Sequence, residues 1–150
     1  MKIYIETIVH QNYEKVLAGF DRNLFEALKP PFVDMTLERY DGSTKGDIVA
    51  LTIKLLGKKS QWVSLISENG QTPNSTWFVD VGETLPSPLK SWRHRHTIER
   101  VSEFKAKIID DIEFKTSSLM LDYAIYPALY AQFAYRIPVY KRYFNTLENE

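Results

Sequence analysis

Between Phe32 and Lys115 the hydrophobic pattern keeps a period of two, run after run, with no helix-length stretch to interrupt it. A period of two puts successive side chains on opposite faces of an extended chain, so this part of the sequence is expected to fold as strands. The runs are Phe32 to Tyr40, Ile48 to Leu56, Ser60 to Asn69, Thr76 to Glu83, Leu89 to Arg100 and Lys105 to Lys115. Between them stand Asp41-Gly42, Gly57-Lys58, Gly70 to Asn74 and the Pro86/Pro88 segment, all residues that accept tight or left-handed backbone. Connections this short join antiparallel neighbours, and the expectation is a meander.

The flanks complete the plan. Met1 to His10 alternates as well, with Ile3, Ile5, Thr7 and Val9 on one face, and reads as a further strand. Asn12 is placed to cap a short helix over Tyr13 to Phe20, and a second helical run over Arg22 to Leu28 is ended by Pro30 and Pro31. Ser117 to Phe144 reads as one long helix, capped by Ser117 or Ser118 and kinked at Pro127 and Pro138. No repeat, low-complexity tract or linker divides this order, so residues 1–150 are expected to form a single α+β domain. Its architecture would be a seven-stranded curved antiparallel sheet wrapped around a long C-terminal helix, with two short helices between the first and second strands. A sheet of that size curls and needs its apolar side covered. Helix and curved sheet meet more easily at the ends than in the middle, which leaves a cavity suited to a small molecule.

Composition removes several classes of function. Nineteen Lys and Arg balance nineteen Asp and Glu, so no global field draws the chain to nucleic acid. Cysteine is absent, which excludes disulfides, a thiolate nucleophile and Cys-based zinc sites. Met1 to His10 carries Lys2 and Glu6 rather than a continuous apolar run, and the expected location is cytoplasmic. The apolar part of the last helix contains Asp122 and ends at Arg136 and Lys141-Arg142, so stable membrane insertion is not expected.

Two groups of residues stand out as a candidate site. On the fifth β-like run Trp92, His94, His96 and Ile98 share a face, and its apolar ends turn that face inward. On the next run Ala106, Ile108, Asp110, Ile112 and Phe114 share the inward face, and Asp110 is the odd carboxylate among them. Pairing the two runs brings Asp110 to the histidines. Such a cluster can bind a metal, act in acid–base catalysis, form a buried polar network, or orient a polar group on a ligand. No His-Glu-x-x-His, EF-hand or cysteine motif accompanies it, so neither metal nor cofactor is expected and no residue is assigned as catalytic. The second group is on the last helix, where Leu119, Met120, Tyr123, Tyr126, Pro127, Tyr130, Phe133 and Tyr140 recur near helical spacing. That helix is expected to be buried on more than one side, with Tyr123, Tyr126, Tyr130 and Phe133 facing the cavity.

Several stretches also resemble a known family. Tyr13-Glu14-Lys15-Val16 through Leu28-Lys29-Pro30-Pro31-Phe32, the Asp41-Gly42 to Gly46-Asp47 turn, Trp92-Arg93-His94-Arg95-His96, Asp110-Asp111-Ile112-Glu113-Phe114 and Phe133-Ala134-Tyr135-Arg136 are similar to segments of the START-related SRPBCC superfamily. The match covers nearly the whole chain and is nearest the bacterial ligand-binding, polyketide cyclase-like branch. It departs at Ala106, where Thr is expected, and at Pro127. The resemblance implies a helix-grip fold and non-catalytic binding of a small hydrophobic or amphipathic molecule such as a lipid. It leaves open a cyclase- or hydrolase-type enzyme using His94, His96 and Asp110, and an interaction module that forms a homodimer through its helix.

Overall fold

A computed structural model describes residues 1–145. The chain runs β1 (Lys2–Val9), α1 (Tyr13–Ala18), α2 (Arg22–Ala27), β2 (Asp34–Tyr40), β3 (Ile48–Leu55), β4 (Lys58–Thr72), β5 (Ser75–Thr84), β6 (Ser91–Ser102), β7 (Lys105–Lys115), α3 (Leu119–Ala134) and α4 (Arg136–Asn145). The seven strands form one antiparallel sheet in the order β1-β7-β6-β5-β4-β3-β2. Consecutive strands β2 to β7 are neighbours, as the short turns require, and β1 closes onto β7 with Ile5 opposite Asp110.

Local chemistry sets the element ends. Asn12 Oδ1 accepts from the Lys15 amide at 2.8 Å, Asp21 Oδ1 from the Leu24 amide at 3.0 Å, and Ser118 Oγ from the Leu121 amide at 3.2 Å, so each helix that starts after an irregular segment has a side-chain cap. The β3–β4 hairpin turns on Leu56 and Gly57, both at positive φ, 51° and 79°. Two left-handed residues in a two-residue loop match the twist of the flanking strands. Leu56 is an unusual occupant of that position and is 98% exposed.

The C-terminal helix departs from the single kinked rod expected from sequence. It is two segments, broken at Tyr135. Pro138 explains the break, because its ring crowds the carbonyl of Ala134 four residues earlier and it has no amide to donate there. Pro127 stays inside α3 without ending it. The carbonyl that Pro127 leaves unpaired belongs to Tyr123, which is exposed, so water can reach that side of the helix.

The core is unevenly distributed. One cluster joins Val9, Val16, Leu24, Ile98 and Ile108 to Val139, Tyr140 and Phe144 of α4. A second joins Ile3, Ile5, Trp92, Ile112 and Phe114 to Phe133 of α3. Both lie on the β1–β7–β6 side, which the helices touch. The β2–β4 side contributes a smaller cluster of Leu37, Val49 and Leu51, with Ile66 of β4 also buried. That half of the sheet curls past the helix instead of meeting it, and a cavity is left between them.

Candidate functional site

The cavity has a volume of about 460 Å³, and it is bordered by α2, strands β3 to β6 and the α3–α4 junction. Val49, Leu51, Ile66, Trp92 and Leu129 are among its apolar walls, while Asp80, His94, His96 and Arg136 gather at one end. A volume of several hundred Å³ with few convergent polar groups is the usual form of a small-molecule site.

The strand alternation places the polar end. His94 and His96 follow Trp92 at steps of two on β6, so all three point into the concave side, and both histidines are buried. Asp110 lies directly opposite His96 in the β6–β7 register, and Asp80 directly opposite His94 in the β5–β6 register. His94 Nε2 donates to Asp110 Oδ1 at 2.8 Å, and His96 Nε2 donates to Asp80 Oδ2 at 2.8 Å. The carboxylates accept, so both rings carry a proton on Nε2. The two imidazoles stack with centroids 3.6 Å apart. Phe78 lies flat against His96 at 4.3 Å, and Phe133 meets His94 edge-on at 5.3 Å. Arg136 from α4 reaches Asp110 Oδ1 at 3.5 Å and lies over the Phe133 ring at 4.5 Å.

Electrostatics follow from this crowding. Burial pushes the His96 pKa down to about 4, and the neighbouring His94 pushes the same way against the pull of Asp80 and Asp110. Burial works to raise the Asp110 pKa, but the His94 hydrogen bond and the Arg136 guanidinium outweigh it and hold the carboxyl at about 2. The Asp80 carboxyl is also lowered, since the His96 hydrogen bond and the two imidazoles overcome its burial. Burial first, and then the charge of Asp110, raise the Tyr140 phenol. At neutral pH the cluster therefore holds two carboxylates and one guanidinium around a neutral His96.

Trp92, His94, His96 and Phe133 line the cavity as the sequence predicts, and Asp110 sits directly behind the histidines. Tyr123, Tyr126 and Tyr130 do not line it. Tyr126 and Tyr130 stack on one another at 6.0 Å, and Tyr123 and Tyr130 are 66% and 45% exposed. The expectation of a helix buried on several sides is corrected with them, because only Asp122 and Phe133 of α3 are buried. Apolar residues encircle α3 almost evenly, so its periodicity carried no information about which side faces in. The inner side holds Ile125, Leu129, Gln132 and Phe133.

Sequence reasoning also missed Asp80, Phe78 and Arg136. Asp80 lies between Val79 and Val81, and alternation assigns it to the outer face. The signal that could have found it is the β5–β6 register, which sets Phe78 against His96 and Asp80 against His94. Arg136 was detectable as a cation at the end of an otherwise apolar stretch.

No family model and no curated protein sequence matches the chain. Solved structures do. Hypothetical protein jhp0584 from Helicobacter pylori aligns with a TM-score of 0.69 at 11% identity, over 96% of this chain and 88% of that one. The aromatase/cyclase ZhuI from Streptomyces sp. R1128 aligns at 0.63 and 10%, over 93% and 90%. The protein Ara h 8.0201 aligns at 0.60 and 13%, over 93% and 97%. The chain therefore has the α+β helix-grip fold, in agreement with the SRPBCC resemblance of its sequence. In this chain a largely apolar pocket lies between sheet and helix. Among the described residues, no helix is long and apolar enough to cross a membrane.

Proposed function

We propose that this chain binds a small apolar or amphipathic molecule in the cavity, with the hydrocarbon body against β3, β4 and α3 and a polar end turned to His94, His96 and Arg136. The observation that carries this reading is a largely apolar cavity wall within which Asp80, His94, His96 and Arg136 stand together. A ligand with both kinds of surface fits both parts, since apolar area removed from water stabilises by about 25 cal/mol per Å² before association costs. His94 and His96 supply ring nitrogens, Arg136 is already paired with Asp110, and Asp80 adds a carboxylate, so a hydroxyl or an un-ionised carboxyl is the head group this end recognises.

The test is a titration of metal-stripped protein with medium-chain fatty acids, the corresponding alcohols and the parent hydrocarbons, followed by calorimetry and thermal unfolding. Fatty acids are expected to bind with a Kd on the order of micromolar, and at 100 times Kd to stabilise by about 2.7 kcal/mol. His94→Ala should weaken the acids more than the hydrocarbons, and Leu129→Trp should weaken all of them by narrowing the cavity. Binding that survives Leu129→Trp unchanged, in a variant that remains folded, refutes this location.

One observation favours a second reading. A neutral His96 hydrogen-bonded to a carboxylate and opening on a cavity has the equipment of a general acid–base pair. A cyclase- or hydrolase-type enzyme predicts that His96→Ala abolishes turnover while leaving ligand affinity intact.

A further inference from the structure

Two imidazoles and two carboxylates meet at the inner end of the cavity. His94 Nε2 donates to Asp110 Oδ1 at 2.8 Å, and its Nδ1 faces Asp80 Oδ2 at 3.7 Å. His96 repeats this in the opposite sense, donating from Nε2 to Asp80 and turning Nδ1 towards Asp110 Oδ1 at 3.9 Å. Each ring thus turns its second nitrogen towards a carboxylate oxygen that lies too far for a hydrogen bond. The two rings stack 3.6 Å apart in a buried site. Arg136 is paired with Asp110, and among the described residues no Lys or Arg ion pair to Asp80 is present. Asp110 Oδ2 is buried with no hydrogen-bond partner. The arrangement is short of positive charge at Asp80.

We propose that Asp80, His94 and His96 form a binding site for a first-row transition-metal dication of the Zn²⁺ or Fe²⁺ type, with an open coordination position facing the cavity. One ligand atom from each residue lies within 4.8 Å of the other two. Ligands about 2.0–2.1 Å from a tetrahedral ion stand roughly 3.3–3.4 Å apart, so rotations that move these atoms by about 1 Å complete the geometry. Two nitrogens and one carboxylate suit zinc, iron, cobalt or nickel, whereas magnesium and calcium prefer all-oxygen shells. Asp110 takes the place of the outer carboxylate that holds a metal-bound imidazole by its other nitrogen. Phe78 and Phe133 confine the two rings from the sides. Asp80, His94 and His96 all border the cavity, so the remaining position on the ion meets whatever polar end the cavity admits. The metal site stands on the ligand geometry alone and does not require the apolar-ligand reading.

The experiment uses the untagged full chain, stripped with a chelator and titrated with Co²⁺ and then Zn²⁺, with calorimetry and visible absorption as readouts. One Co²⁺ per chain is expected, with the intense d–d bands of a four- or five-coordinate ion that Zn²⁺ then displaces. Asp80→Asn, nearly isosteric, should weaken binding at least tenfold, and Asp110→Asn by about 10–100-fold. His10→Ala, at the remaining and exposed histidine, should change nothing. Nitrogen chemical shifts of the histidine rings give a readout on the unaltered protein, and Zn²⁺ should move those of His94 and His96. Failure of the wild-type chain to bind Co²⁺, or shifts confined to His10, overturns the site. Fatty-acid titration of the stripped protein is read separately, so failure of either proposal leaves the other standing.

Discussion

Replacing Arg136 with Met isolates the electrostatics of the cluster from its packing. The Arg136 side chain is 12% exposed and its guanidinium lies 3.5 Å from Asp110, whose own side chain is 1% exposed. Met keeps the apolar contact with Phe133 and the volume of the side chain but removes the charge. Asp110 then retains its hydrogen bond from His94 while its second oxygen is still unpartnered, with the Asp80 carboxylate close by on the far side of the rings. Breaking a buried ion pair from one side costs about 3–5 kcal/mol. The 3.5 Å separation is long for a charged hydrogen bond, which places the expectation at the lower end, about 3 kcal/mol. In a chain of this length that corresponds to a fall in Tm of about 6–12 °C. Urea unfolding followed by tryptophan fluorescence measures the loss directly, and an unchanged m-value shows that the two-state comparison holds. Adding Asp110→Asn should recover part of it, because the orphaned charge is gone, and the double variant should be more stable than the sum of the singles by about 1 kcal/mol or more. A loss under about 1 kcal/mol for Arg136→Met, or strict additivity in the double variant, would show that Asp110 does not depend on this guanidinium.

Leu56 occupies a left-handed position at the tip of the β3–β4 hairpin, so Leu56→Asn should raise stability by roughly 1 kcal/mol, measured as a rise in the urea midpoint. A neutral or negative effect would mean that the turn tolerates leucine without strain. Asp122 accepts from the Thr116 hydroxyl and amide at the β7–α3 corner, and these hydrogen bonds lower its pKa below the ordinary carboxylate value. A lowered folded-state pKa contributes stability that is present above the unfolded value of about 3.9 and is lost as pH falls through the folded one. Asp122→Asn should therefore be less stable than the wild type at pH 7 and converge with it in acid; a constant difference across pH would sink the assignment.

Much of the architecture was readable before any coordinates. The period-two runs between Phe32 and Lys115 became β2 to β7, with shifts of a few residues at their ends, and Lys105 to Lys115 matched in full. Asn12 and Ser118 acted as the caps their side chains allow. The inward set Trp92, His94, His96 and its neighbour Asp110 followed from alternation alone, because a strand with one wet face leaves its side chains no third direction.

What the sequence by itself determined was therefore the order of the consecutive strands β2 to β7, the turns and the inner face of β6 and β7, all of which depend on residues close along the chain, whereas the pairing of β1 with β7 joins Lys2 to Glu113. Tertiary structure decided the rest of the site. Tyr123, Tyr126 and Tyr130 fell outside the cavity because a helix that is apolar all round has no preferred face until a sheet selects one. Asp80 joined the histidines because the β5–β6 register, set by the length of the Pro86/Pro88 connection and by bulges in the neighbouring ladder, put it opposite His94. Arg136 reached Asp110 because α4 crosses the end of the cavity after the break at Tyr135. Contacts such as Asp80 with His94, 14 positions apart, and Asp110 with Arg136, 26 apart, are made only when the sheet has curled and the helix has docked, and no local pattern records them.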